Sequence, residues 1–129
     1  MTEAVEVHAS GAGRVDKPWG FELRWAVNDR YLGKLIHIDA GHQLSLQYHV
    51  QKDESILVLS GVLDLLLEND SGVIERHRLG PGMSARIRPC RRHRFIAVED
   101  TELLEVSSPE IDDVVRLEDA YGREGTSTP

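Results

Sequence analysis

Short apolar runs follow one another along the chain, each closed by turn residues. Residues 21–27, 31–39, 42–49, 54–60, 62–68, 73–79, 83–88, 93–98 and 101–106 each read as a strand. Many alternate apolar and polar at period two, and they are rich in Val, Ile and Leu, as strands with one buried face are. The breaks fall at Asn28-Asp29, Ala40-Gly41, Ser60-Gly61, Asn69-Asp70-Ser71-Gly72, Gly80-Pro81-Gly82 and Glu99-Asp100, residue types that supply turn geometry. Residues 67–75 read as a hairpin. No long run carries a helical period. Residues 114–121 admit either a short helix or an edge strand. About nine or ten short strands in one chain predict an all-β fold, a sandwich or a small barrel.

The chain has 129 residues, enough for one core and one domain. Residues 1–13 and 124–129 are poor in core residues and are expected to be a flexible arm and tail around a domain spanning 14–123. Lys and Arg number 15 against 22 Asp and Glu, a net charge of −7. That excludes a nucleic-acid binder driven by bulk positive charge, though not a local basic pocket. No apolar stretch approaches the roughly 20 residues of a membrane helix, so no membrane association is expected. The N-terminus has neither a basic n-region nor an apolar h-region, which predicts no signal peptide. The single cysteine, Cys90, can form no internal disulfide, and a reducing cytoplasm is the expected compartment.

The six histidines are the first candidates for chemistry. His8 falls in the arm. His77 sits among Glu75, Arg76 and Arg78, and both histidines read as bystanders. His37 and Glu105 face either into the fold or away from it. The informative stretch is 41–61. Gln47 and His49 are two apart on a strand, so their side chains leave one face. Glu54 opens the next strand, and His93 opens the strand 93–98 after a loop built on Pro89. One amide, one carboxylate and two imidazoles form a sensible donor set for Zn²⁺, Mn²⁺, Fe²⁺, Co²⁺ or Ni²⁺ with open positions for water or substrate. The alternative is a buried polar cluster. Arg86, Arg88, Arg91, Arg92 and Arg94 crowd nine residues of an acidic protein. With Lys34 and Lys52 they are candidates for a local anion site, against ion-paired or solvated arginines. Trp19 and Trp25 read as packing residues, and Cys90 as an inert thiol.

Gly41, then Gln47-Tyr48-His49, Glu54 and Gly61 resemble the first motif of the cupins, with Gln47 in place of the usual first histidine. That replacement resembles the cupin domain of type II phosphomannose (mannose-6-phosphate) isomerases. Lys17-Pro18-Trp19-Gly20 is similar to that family's opening, Lys34 to its lysine in the strand before the motif, and residues 112–123 to its C-terminal signature. The resemblance covers roughly residues 15–123. It implies a single-domain cupin jelly-roll β-barrel, a divalent metal (zinc first) on Gln47, His49, Glu54 and His93, and a homodimer. The chain departs from the family at Lys52, which stands where the family has an arginine and keeps its charge without its bidentate fork. Ser55-Ile56 replaces a His-Trp pair, and no Asn-Pro turn follows His93-Arg94.

The resemblance implies a metal-dependent aldose–ketose isomerase acting on a sugar phosphate. Lys52, Lys34 or Glu105 would supply the base or shuttle protons, and Arg86, Arg88 and Arg94 would hold the phosphate. Two alternatives keep the fold: an epimerase, lyase or polyketide-cyclase-type cupin using the same Lewis acid, or a non-catalytic cupin that binds a small molecule.

Overall fold

The computed structural model describes residue 7 and residues 11–126 of the chain. His8 and most of the expected arm lie outside the described residues. The described chain is all β, with twelve strands. They are β1 (Gly13–Lys17), β2 (Gly20–Val27), β3 (Leu32–Ile38), β4 (Leu46–Tyr48), β5 (Glu54–Ser60), β6 (Leu63–Glu68), β7 (Ile74–Leu79), β8 (Ser84–Ile87), β9 (His93–Ala97), β10 (Thr101–Ser107), β11 (Val115–Glu118) and β12 (Gly125–Thr126). Every run read as a strand contains one. The ambiguous segment 114–121 resolves as β11, and Gly125–Thr126 pairs with it.

Two six-stranded sheets form, one ordered β1-β2-β3-β10-β5-β8 and the other β12-β11-β4-β9-β6-β7. All pairings are antiparallel. The period-two alternation decides which face is buried. Ile36, Ile38, Ile56, Val58 and Leu103 of the first sheet meet Leu63, Leu65, Phe95 and Ala97 of the second in one apolar cluster, which also takes in Trp19. Burial of each such side chain stabilises the fold by about 1.5–3 kcal/mol relative to exposure.

The same alternation is interrupted by charge at one end of the sandwich. Glu22, Lys34, Glu54 and Glu105 occupy inward positions of β2, β3, β5 and β10, and all four are buried. Their register aligns them. Lys34 lies opposite both Arg24 and Glu105, and Glu105 lies opposite Ile56. The second sheet supplies a facing row, in which Arg116 pairs with Gln47 and Gln47 with His93. One end of the interior is therefore apolar and the other is lined with ionisable groups.

The turns that hold this register depend on glycine where the chain reverses tightly. Gly61, between β5 and β6, has φ +87°, and a Cβ there would lie 2.2 Å from the backbone oxygen of Asp100. Both the backbone conformation and the space exclude a side chain. Gly61→Ala is expected to lower stability by about 2 kcal/mol or more, read as a fall in the urea midpoint. An unchanged midpoint would contradict this account of the β5–β6 turn.

Candidate metal centre

Three of the four expected donors converge. His49 follows β4, Glu54 opens β5, and His93 opens β9, and one ligand atom from each lies within 4.8 Å of the others. Glu54 Oε1 is 3.4 Å from His93 Nε2, and Glu54 Oε2 is 3.6 Å from His49 Nε2. All three residues are buried.

The tautomers explain why this arrangement needs a cation. His49 Nδ1 is 2.5 Å from the backbone oxygen of Asp113, and His93 Nδ1 is 2.9 Å from that of Arg91. A carbonyl oxygen only accepts, so each Nδ1 donates its proton and each neutral ring is left with a lone pair on Nε2. Both lone pairs face a carboxylate that also only accepts. His49 Nε2, His93 Nε2 and Glu54 Oε2 have no hydrogen-bond partner among the described residues. Three buried acceptors around a gap are costly unless a cation sits between them. The spacing also suits one, because two donors at about 2.1 Å from a tetrahedral metal lie roughly 3.4 Å apart. The residues present therefore fit a divalent transition metal, with histidine orientation fixed by backbone carbonyls as ligating histidines require.

Gln47 lines the same cleft and is the cross-strand partner of His93. Its Oε1 accepts a hydrogen bond of 2.6 Å from the Ser45 hydroxyl, which aims the amide and leaves one lone pair for a further contact.

Asp113 ties the centre together. Its carboxylate accepts the backbone N–H groups of Val50, Gln51 and Lys52 at 2.6–2.9 Å, while its backbone oxygen holds His49. Burial alone would raise the Asp113 pKa. The three amide donors outweigh it and hold the carboxyl below its usual value. One residue thus fixes the loop between two ligands and the tautomer of the first. In the sequence Asp112, Asp113 and Arg116 read as part of a tail signature or, more plainly, as a salt-bridged edge, because the contact spans some sixty residues.

Buried charges surround the ligands. Lys52 Nζ is 3.1 Å from Glu54 Oε2 and 3.0 Å from Glu105 Oε2. These are charge contacts rather than aligned hydrogen bonds, since both oxygens lack a hydrogen-bond partner. Burial works against the Lys52 charge, but Glu105 and Glu54 overcome it and raise the pKa above the ordinary lysine value. That direction favours the ammonium form of Lys52. Burial likewise opposes the Glu54 charge, yet the Lys52 ammonium outweighs it and holds the Glu54 pKa well below the usual range. Lys34 Nζ is 3.4 Å from Glu22 Oε1, which also accepts a hydrogen bond of 2.8 Å from Arg24.

Lys34, Lys52 and Glu105 all reach the narrow cleft beside the ligands, with a cavity volume of about 60 Å³. The arginines expected to hold substrate do not. Ala85 and Ile87 take the inward positions of β8, so Arg86 points outward and is ion-paired to Asp53. Arg86 and Arg88 border a separate depression with Asp70 and Arg91. Arg94 donates to the backbone oxygens of Leu44 and Glu118. The cations that do line the cleft are Lys17, Lys34, Lys52, Arg116 and Arg123. Lys17 and Arg116 lay within segments read only as family signatures. Among the other histidines, His37 faces outward between Asp39 and Glu102, and His77 is exposed near Glu75. Trp19 is buried at the cleft and Trp25 covers Gly33 on the outer face. Cys90 is exposed.

The cupin domain family matches residues 34–107, more than half of the chain. The chain belongs to the cupin family. Its relatives bear out the resemblance to a phosphomannose isomerase-type cupin domain. This cupin is 34% identical over 125 residues to the xanthan biosynthesis protein XanB of Xanthomonas campestris pv. campestris strain B100, covering 85% of the chain and 24% of the relative. It is 30% identical over 115 residues to the alginate biosynthesis protein AlgA of Pseudomonas putida, covering 89% and 23%. A mannose-1-phosphate guanylyltransferase of Escherichia coli K12 is 32% identical over 114 residues, covering 84% and 23%. The chain thus spans about a quarter of the length of the curated relatives it matches.

Solved structures share the fold. Oxalate decarboxylase from Bacillus subtilis superposes with a TM-score of 0.75 at 15% identity, covering 84% of this chain and 30% of that one. KdgF from Halomonas sp. superposes with a TM-score of 0.66 at 20% identity, covering 80% and 92%. The two-sheet sandwich is therefore a cupin jelly roll. No helix among the described residues is long and apolar enough to cross a membrane.

Asp113→Asn keeps an acceptor but loses the charge that binds three amides. It is expected to lower stability by about 1–3 kcal/mol and to weaken metal affinity roughly 10–100-fold. The native Asp113 pKa is depressed, so its stabilisation is present above the unfolded value and is lost as pH falls through the folded one. The stability gap between wild type and variant should be constant above about pH 5 and shrink below about pH 4. Denaturation curves across that range check it, and a gap that does not change with pH would contradict it.

Proposed function

We propose that this cupin is a metal-dependent aldose–ketose isomerase acting on a sugar phosphate. The observation that carries the reading is the set of three orphaned acceptors on His49, Glu54 and His93, placed beside a buried Lys52–Glu105 pair in one cleft. The relatives named for alginate and xanthan biosynthesis and for mannose-1-phosphate guanylyl transfer support a sugar phosphate as the substrate class.

A divalent metal held by His49, Glu54 and His93, with Gln47 as a further donor, supplies Lewis acidity toward the carbonyl and neighbouring hydroxyl oxygens of an α-hydroxy aldehyde or ketone. Zinc suits two imidazoles and a carboxylate. Enolisation also needs a base for the hydrogen on the carbon next to the carbonyl, and a cation or proton donor for its oxygen. Glu105 is the base in this reading. Its Oε2 is buried with Lys52 Nζ at 3.0 Å, and it lies opposite Lys34 on the inner face. It takes the proton from one carbon and returns it to the next. Lys52, held protonated by Glu54 and Glu105, stabilises negative charge developing on the substrate oxygens. Lys34 is fixed by Glu22 and orients the hydroxyl groups. The closed apolar end of the sandwich, with Trp19 and Ile36 at the cleft, keeps bulk water from the reacting carbons.

Zinc-loaded protein given mannose 6-phosphate in D₂O should form fructose 6-phosphate, with deuterium entering at the reacting carbon, as followed by NMR. Glu105→Gln should lower kcat by about 10²–10⁴-fold while retaining bound zinc and the wild-type circular dichroism spectrum. Fully loaded, folded protein that neither converts the substrate nor exchanges its hydrogen would contradict the proposal.

A further inference from the structure

The cleft carries more positive charge than its own carboxylates can balance. Four cations gather at its outer part: Lys17, Arg24, Lys34 and Arg116. Lys17, Lys34 and Arg116 line the cleft directly. Their local carboxylate is Glu22, already engaged by Arg24 at 2.8 Å and Lys34 at 3.4 Å. The remaining acids of the cleft are committed elsewhere. Glu105 faces Lys52, and Asp113 accepts three backbone amides. The fifth cation away from the metal ligands, Arg123, is bound to Asp119 at 2.8 Å.

Lys17 and Arg116 have no ion-pair partner among the described residues. Arg116 is the more telling. Its relative exposure is 7%, and its Nε is buried with no hydrogen-bond partner. A guanidinium left unpaired in the interior is costly. It is held there by β11, whose register sets Arg116 beside Gln47, one strand from the metal set. Lys17 approaches from the opposite sheet, at the end of β1. Both line the same cleft as Lys34.

We infer that Lys17, Lys34 and Arg116 form the seat for the phosphate group of the substrate, a dianionic monoester held at the cleft mouth while its carbonyl end reaches the metal ligands. This deepens the isomerase reading and rests on it for the identity of the substrate. A guanidinium and two ammonium groups match a phosphate better than a carboxylate. Three cations against one engaged carboxylate leave room for two negative charges, and a phosphate offers three oxygens to donors arriving from different strands. The charge state of the cleft agrees. Burial pulls the Lys17 pKa down to about 8, helped by Lys34, Arg24 and Arg116 and opposed by Glu22. Burial and Arg123 likewise lower that of Arg116. A bound dianion would relieve both. The cluster Arg86, Arg88 and Arg94 is not the seat, because Arg86 is paired on the outer face and Arg94 is bonded to backbone oxygens.

The test is calorimetric titration of the zinc-loaded protein with inorganic phosphate, and with glucuronate as a carboxylate control. Phosphate should bind, with glucuronate at least about tenfold weaker. Arg116→Gln should weaken phosphate binding about tenfold or more, the loss of one charged contact. Because Arg116 is buried, Lys17→Gln, at a half-buried position, serves as the second variant and should do the same with an unchanged melting temperature. Arg86→Gln should bind phosphate as the wild type does. Equal binding in wild type, Lys17→Gln and folded Arg116→Gln would overturn the assignment, as would tighter binding of glucuronate than of phosphate. The two readings separate cleanly. Phosphate binding that depends on Lys17 and Arg116, without turnover of mannose 6-phosphate, defeats the isomerase and keeps the seat. Turnover with a KM unmoved in Lys17→Gln keeps the isomerase and defeats the seat.

Discussion

Two imidazole rings, each pinned by a backbone carbonyl on its Nδ1 side, turn their Nε2 lone pairs onto one buried carboxylate. The contact is repulsive as protein alone, since all three groups accept and none donates. Its persistence is explained by a positive charge in the gap. Lys52 supplies part of that charge from 3.1 Å on one side of Glu54, and a divalent metal held by the three residues would supply the rest. Much of the surrounding structure serves to hold this unfavourable trio in place. Asp113 clamps the loop after His49, the Gln47–His93 pairing locks β4 to β9, and the β5 register sets Glu54 at the mouth.

The jelly roll makes this possible by separating two interiors. At one end, inward residues of seven strands, β3 and β5 to β10, bury apolar side chains. At the other, the same inward positions carry Glu22, Lys34, Glu54 and Glu105, so charge is placed where the sheets begin to part and water can reach. The charges differ in how fully they are paired. Lys52 is paired twice, Lys34 shares one carboxylate with Arg24, and Lys17 and Arg116 have no ion-pair partner among the described residues.

The strands and the candidate donors are legible because both are local patterns. Val, Ile and Leu at period two marked the strands, and the spacing of His49, Glu54 and His93 placed donors at strand ends that the fold then joins. Orientation was legible in part. Ala85 and Ile87 are the apolar members of β8, so Arg86 had to face outward, but the arginine cluster drew attention to charge rather than to alternation. β1 was harder to see, since Gly13, Arg14, Asp16 and Lys17 leave only Val15 as an apolar marker. The role of Asp113 was not legible at all. Its partners lie some sixty residues away, and only the packing of the 109–114 segment against the loop after β4 brings them together. Arg116 belongs to the same case, because an arginine in a strand gives no sign of whether it has a partner.

The central claim is that the trio exists to hold a metal. The direct measurement is metal content by plasma mass spectrometry on tag-free protein purified without chelator, wild type against His49→Ala/His93→Ala. The account predicts about one equivalent of a single divalent transition metal in the wild type and none in the double variant. Metal-free wild type whose melting temperature moves neither with chelator nor with added zinc would contradict it, and would leave His49, Glu54 and His93 as a polar interior without an ion.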